Sequence, residues 1–447
     1  MATPTPAITV KPDSKRDRGP LRVQLDVCIG QSGLDVGQLI YVKAGVREYT
    51  SFLYVDDWLT RPDRFTVSPE LQLIREHQLR KAPSKDDTCF FLALGDTEPD
   101  DWGRRVIARA HAKVRKENPK AKSRALNAID FLCAVDDFSR MGALRLRPPG
   151  GAFLRSVAEG KRATPPLVDL EKMYLASRAV ERGKESAQDL KYLQGKGTSL
   201  GGMRPKCTVL DEDGTLALGK FPSIKDQRCV TRGEVLALRL AGLAGIEVPA
   251  ARIVMVNATP VVVVTRFDRT ADHGRIPYVS AASLLQAGRN DERAYTEVVD
   301  QMHTFCQAAA VDAQALWRRL VFNLLITNID DHLHNLGFLH VGNGLWRLAP
   351  AFDLNPFPDM DRESKTWLTE DLGPVTSLQM LLDEAARFHV GQALAKRVVS
   401  EVHGAVTRWR EVAARSGVGM TAAELEEFAA AFEHEQMDAA KQWLRLA

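Results

Sequence analysis

The chain of 447 residues contains no run of eighteen apolar residues, and its first twenty residues lack a hydrophobic core. It therefore offers neither a membrane-spanning helix nor a secretory leader, and is expected in the cytoplasm without a membrane partner. Cysteine is scarce: the six, Cys28, Cys89, Cys133, Cys207, Cys229 and Cys306, are scattered with no C-x-x-C pair. That spacing argues against a disulfide frame and for reduced, mostly buried thiols. Net charge is small too, +3 from 60 basic against 57 acidic residues, which argues against a chain that grips DNA by its own field. One basic run, HAKVRKENPKAKSR from His111 to Arg124, reads as a solvated helix face followed by a loop. Internal repeats are absent, and the only biased tract is the Pro- and charge-rich tail over residues 1–20. With 45% hydrophobic and 26% charged residues, a disordered or fibrous protein is excluded, and the length suits two or three packed units.

What is present falls into three stretches. Residues 21–150 open with strand-like runs (LRVQLDVCI, QLIYVKAG, REYTSFLYV) and continue into a helical pattern, WGRRVIARAHAKVRKE. Pro148-Pro149-Gly150-Gly151 mark a boundary. Residues 151–269 comprise a connecting helical segment and a small β-rich lobe with IVMV and VVVVTRF as its later strands. Residues 270–447 turn helical, with DERAYTEVVDQMHTFCQAAAV and the final segment from Thr421 each expected as one helix.

Chemistry concentrates in NIDDHLHN and LAPAFDLNPFP. Asp330 is followed five positions on by Asn335, and later by Asp353 among apolar residues. Protein kinases use this D-x-x-x-x-N…D order: the first Asp takes the acceptor's proton, and the Asn and second Asp hold Mg²⁺ on the nucleotide. Spacing favours Asp330 over Asp331, which lies only four before Asn335. A competing reading takes His332, His334 and His340 with the two aspartates as Zn²⁺ or Fe²⁺ ligands, H-x-H on a strand facing one way. A third is an ordinary polar loop.

Upstream features tilt the choice. Gly195, Gly197, Gly201 and Gly202 lie before two short β-type runs joined by the turn DEDG, with Arg204 and Lys206 adding charge. Glycines allow backbone N–H groups close to phosphate oxygens. Lys220 ends the second run, where a lysine can reach a nucleotide's phosphates. An amphipathic helix follows, with Glu234 in its first turn as the acid to steady that lysine.

In this order the chain resembles the HipA-type serine/threonine kinase toxins of bacterial toxin–antitoxin modules. The resemblance runs from about Val42 to the C-terminal region, through ALGDTEPDDWGRR, TSLGGMRPK, LGKFPS, VTRFDR, NIDDHLHN and LAPAFDLNPFP. It implies an α+β, protein kinase-like bilobal fold, with a β-rich N-lobe, an all-α C-lobe and an additional N-terminal α+β domain. Carried onto this sequence, Gly201, Gly202, Met203, Arg204, Pro205 and Lys206 resemble the phosphate loop, and Lys220 the ATP lysine. Thr265, Arg266 and Phe267 resemble the adenine-side hinge. Asp330 falls on the catalytic base, and His332, Leu333, His334 and Asn335 on the catalytic loop. Phe352 and Asp353 form the second acidic motif, Asn335 and Asp353 being the Mg²⁺ ligands, and Ser199 matches an autophosphorylated serine. Arg204-Pro205 departs from the Gln-Glu of some members, and Thr265 from an acid. The resemblance further implies ATP and Mg²⁺ as cofactors, and a protein substrate, an aminoacyl-tRNA synthetase with glutamyl-tRNA synthetase first. It also implies a HipB-like helix-turn-helix antitoxin through which operator DNA is bound. Alternatives are a small-molecule or lipid kinase, a catalytically idle corepressor subunit, and a metal-dependent hydrolase built on the histidines.

Overall fold

The computed structural model describes residues 19–118, 124–156, 167–193 and 202–446. Its first sheet is made of β1 (Leu21–Ile29), β2 (Leu34–Ala44), β3 (Arg47–Tyr54), β4 (Gln78–Lys81) and β5 (Leu144–Arg147), in the order β4-β3-β2-β1-β5. All neighbours are antiparallel. Period-two alternation sends Leu25 and Val27, Leu39 and Tyr41, and Phe52 and Tyr54 to the buried face.

The second sheet holds the site. It comprises β6 (Lys206–Leu210), β7 (Leu216–Lys220), β8 (Ala251–Val256) and β9 (Thr259–Thr265), ordered β6-β7-β9-β8. Its β9 reads as an unbroken apolar run, Val261 to Val264, because both faces are covered. Val262 and Val264 share a core with the helix Val230–Leu243. Val261 and Val263 pack with Met173 and Val180 of the helix Leu170–Arg182 and with Trp102 and Val106 of the helix Asp101–Glu117. That last helix, expected in the N-terminal unit, thus shares the β-lobe's core, so the Pro148–Gly151 boundary in the chain does not divide the packing.

A third sheet, β10 (Tyr278–Ser280), β11 (Gly337–Gly342) and β12 (Leu345–Leu348), is inserted among the helices. The C-terminal lobe is therefore mainly helical, not all-α as expected. Its hairpin turns at Asn343-Gly344, both with positive φ (52° and 73°), the conformation that Asn-Gly adopts in a two-residue turn. Around it lie the helices Tyr295–Phe305, Ala309–Leu325, Gln392–Thr407, Ala422–Phe432 and Glu435–Leu446. Two expected single helices are split. The first stops at Cys306, whose extended backbone bridges to Trp346. The last segment breaks near His434, whose Nε2 lies 3.2 Å from the Leu325 carbonyl. Thr421 and Glu424 form a capping box at its start, a signal legible as T-x-x-E. Among the described residues, no helix is long and apolar enough to cross a membrane.

Candidate nucleotide and phosphoryl-transfer site

The β6–β7 hairpin sets two lysines opposite each other, Lys206 and Lys220. Lys220 Nζ donates to Asp353 Oδ1 at 2.6 Å and to Glu234, the buried fifth residue of its helix rather than a first-turn one. Burial alone would lower the lysine's pKa; Asp353, then Glu234, overcome it and hold the ammonium charged. Burial pushes Asp353 up, but Lys220 and Lys206 bring it down to about 2, so it is a carboxylate at any physiological pH. Glu234 is raised by burial despite the same lysine. The divergence of these two acids makes Asp353 the principal counter-charge.

Asp353 adopts a left-handed backbone (φ 57°), a conformation that costs a non-glycine residue on the order of 1 kcal/mol or more. Its neighbours hold it there. Asn355 donates from its side chain to the Asp353 carbonyl (3.1 Å), and from its backbone to Asn328 Oδ1 (3.1 Å). Lys206, expected in the phosphate loop, is buried with Nζ 2.9 Å from Asp100 Oδ2. Asp100, raised to about 6 by burial, also caps the helix Asp101–Glu117 by accepting the Gly103 N–H. A Cβ on Gly202 (φ 100°) would lie 3.3 Å from Lys206 Nζ, so the glycine keeps the backbone against that ammonium. Arg204 is held by Asp226 at 2.7 Å, Met203 is exposed, and the Pro205 carbonyl accepts from Phe221. Gly195, Gly197, Ser199 and Gly201 lie outside the described residues.

The catalytic-loop candidates follow the helix Ala309–Leu325. Leu333–Asn335 form a 3-10 turn, not the strand that the metal-site reading requires. Asn335 Nδ2 donates to the Asp330 carbonyl at 2.8 Å, while its Oδ1 is buried without a hydrogen-bond partner. The two aspartates differ sharply. Asp331 is buried and accepts from Tyr295 Oη (2.6 Å) and from the Lys365 backbone N–H (2.8 Å), with burial pushing its carboxyl up to about 6. Asp330 keeps a 35% exposed side chain, with Lys365 Nζ on one oxygen and His332 Nε2 at 3.9 Å. Burial lowers the His332 pKa, so the ring is neutral at physiological pH. Leu333 is buried and His334 exposed.

No group of three metal-ligating side chains assembles among the described residues. His340 in particular sits in β11, stacked on Phe65 at 4.0 Å, with Nε2 accepting the Gly344 N–H. The Asp353 carboxylate and the Asn335 Oδ1, buried without a hydrogen-bond partner, are oxygen donors of the kind that a hard divalent cation takes.

Next to Asp353 in the chain, Phe352 packs on Phe267 with ring centroids 5.2 Å apart. Thr265 ends β9 and donates its N–H to the Ala250 carbonyl. The Arg266 guanidinium is buried on Asp268 and the Ser139 carbonyl, turned toward the N-terminal unit. Asp268 also accepts the Gly142 N–H and a bond from Arg269, tying the end of β9 to the β5 region. Asp100, Asn355 and Lys365 are residues that the sequence did not single out; each acts through contacts distant in the chain.

The sequence pattern of the HipA-like C-terminal domain matches residues 198–434, more than half of the chain. The chain belongs to the HipA family. Beside this HipA-like chain, a Sinorhizobium fredii (strain NBRC 101917 / NGR234) protein named "Putative kinase Y4mE" is 28% identical over 180 residues. That match covers 36% of the HipA-like chain and 43% of the relative, less than half of each. A chain of the Shewanella oneidensis MR-1 HipA, HipB and operator DNA complex superposes with TM-score 0.63 and 17% identity, over 95% of this chain and 99% of that one. The fold is thereby an α+β, kinase-like one. The Helicobacter pylori kinase CtkA aligns over 55% of this chain and 93% of its own, with TM-score 0.43 and 15% identity.

Proposed function

We propose that this HipA-like chain transfers the γ-phosphoryl group of ATP to a serine or threonine hydroxyl of a protein. The observation that carries the reading is the Lys220–Glu234–Asp353 cluster, together with a loop on which Asn335 bonds the carbonyl of the half-buried Asp330. Lys220 holds the nucleotide phosphates, and Glu234 keeps its ammonium in place. Asp330 orients the acceptor and takes its proton, since Asp331 is already committed to Tyr295 and to the backbone at Lys365. Asn335 and Asp353 hold Mg²⁺, which when bound neutralises charge on the β- and γ-phosphates. The packed pair Phe267 and Phe352 borders the adenine side, together with Thr265. Little covalent work falls to the protein; positioning and charge neutralisation supply the rate.

In the same reading the chain is a growth-arresting toxin. Its substrate is an aminoacyl-tRNA synthetase, glutamyl-tRNA synthetase first. A HipB-like helix-turn-helix antitoxin neutralises it and carries it to operator DNA. Support comes from family membership, and from a similar structure that is a HipA–HipB–operator complex. Autophosphorylation at Ser199 would switch the enzyme off, because a phosphate there brings about −1.5 to −2 charges beside those of ATP. Incubation with γ-labelled ATP, Mg²⁺ and candidate synthetases tests the reading; labelled synthetase is expected, and its absence with every candidate overturns the substrate assignment.

A further inference from the structure

The cation on Asp330 comes from outside the catalytic loop. Lys365 Nζ pairs with Asp330 Oδ1 across 35 residues of chain. Exposed lysine pairs on ordinary surfaces contribute little and wander. Lys365 differs in how its backbone is held. Its own N–H donates to Asp331 Oδ1 at 2.8 Å, and Thr366 Oγ1 donates to the Asp331 carbonyl at 2.8 Å. Ser364 Oγ donates to the Thr366 carbonyl and accepts the Val375 N–H at 2.7 Å. Ser364 and Thr366 are buried, while the Lys365 side chain between them is 55% exposed. The catalytic loop itself thus clamps the backbone that presents this ammonium, leaving its four-carbon stem free to turn.

Neighbouring cations are committed elsewhere: Lys220 to Glu234 and Asp353, Lys206 to Asp100, Arg204 to Asp226. His332, two positions after Asp330, is half-buried and uncharged, and does not supply the charge.

We propose that Lys365 is a catalytic cation of the transfer site, holding Asp330 while no acceptor is present and moving onto the transferred phosphoryl when a hydroxyl takes its place. The assignment rests on Asp330 being the base of the proposed phosphoryl transfer. In that step the acceptor O–H proton passes to the Asp330 carboxylate, and the acceptor oxygen bonds to the γ-phosphorus. The bond from γ-phosphorus to the β–γ bridging oxygen breaks, and its electron pair leaves with ADP. Lys365 makes and breaks no covalent bond; it offsets charge on the oxygens of the group in transit.

The test compares the full chain with Lys365→Met, Lys365→Gln, Lys365→Arg and Asp330→Asn. Three quantities are read: melting temperature, affinity for ADP and for a non-hydrolysable ATP analogue by calorimetry, and single-turnover transfer from labelled ATP. The clamp is backbone, so Lys365→Met is expected to melt with wild type. Its transfer rate should fall on the order of 100-fold, with the KM for ATP changed less than about threefold. Its affinities for ADP and for the ATP analogue, measured without an acceptor, should likewise change less than about threefold, and Lys365→Arg should recover much of the lost rate. Wild-type transfer by Lys365→Met, with Asp330→Asn inactive, overturns the Lys365 assignment alone. Loss of transfer accompanied by a lowered melting temperature in both Met and Gln variants also overturns it, since that is a structural role. An active Asp330→Asn overturns the base assignment and this inference together.

Discussion

Replacing Asp331 by Asn separates the two adjacent aspartates by a property that only one of them has. Burial holds the Asp331 carboxyl at about 6, against about 3.9 for an unfolded aspartate. A folded-state value above the unfolded one means that the fold favours the protonated form. Its stabilising contribution is therefore complete below about pH 4 and is lost as pH rises through 6. Two units at about 1.4 kcal/mol each give about 3 kcal/mol in full, of which about 2 kcal/mol falls between pH 4 and 7. Asparagine cannot ionise, yet keeps an oxygen for the Lys365 N–H, and its amide can donate to the Tyr295 hydroxyl, so the geometry survives. Melting curves of wild type and Asp331→Asn across pH 4–7 provide the assay. The variant should gain on wild type by about 2 °C over that range and should still transfer phosphate. Parallel pH profiles would refute the buried-acid argument. An inactive Asp331→Asn beside an active Asp330→Asn would show that the base has been assigned to the wrong residue.

Three further outcomes are expected. Glu234→Gln leaves Lys220 with Asp353 as its one carboxylate partner, so ATP affinity and transfer rate should each drop on the order of tenfold in titration and initial-rate assays. Gly233→Ala places a Cβ 2.8 Å from the Phe428 ring; despite better helix propensity the clash should lower stability by about 1–2 kcal/mol, read by denaturant unfolding. Expression of the wild-type chain without an antitoxin should arrest bacterial growth and yield protein phosphorylated on Ser199 by peptide mass spectrometry, and Asp353→Ala should do neither.

The site's members are legible in the chain because each follows a local element with its own signal. Lys220 closes a short apolar strand, Glu234 rides an amphipathic helix, and Asp330 and Asn335 are set by a fixed spacing. Their convergence is not legible, since it depends on Lys220 meeting Asp353 across 133 residues. The β10–β12 sheet is hidden for a related reason: its strands are short and lie between helical patterns, although Asn343-Gly344 marks the hairpin. Helix breaks at Cys306 and near His434 follow from contacts with Trp346 and Leu325, which leave no local trace. The burial of the Arg266 guanidinium is not legible either, since it depends on the Ser139 carbonyl far back in the chain as well as on Asp268 two residues on. Lys365 sits in a stretch without periodicity, and nothing local announces that Asp331 will hold its backbone.

One measurement tests this cleft as a phosphoryl-transfer site most directly: transfer of labelled phosphate from γ-labelled ATP by wild type, Asp330→Asn and Asp353→Ala, with nucleotide affinity recorded alongside. Wild type is expected to label itself or an added protein substrate, and both variants to be inactive. Asp330→Asn should bind ATP as wild type does, because that carboxylate addresses the acceptor. Asp353→Ala should bind it more weakly in the presence of Mg²⁺, having lost the carboxylate proposed to hold the ion. Equal labelling by wild type and both variants would contradict the assignment of this cleft as a phosphoryl-transfer site.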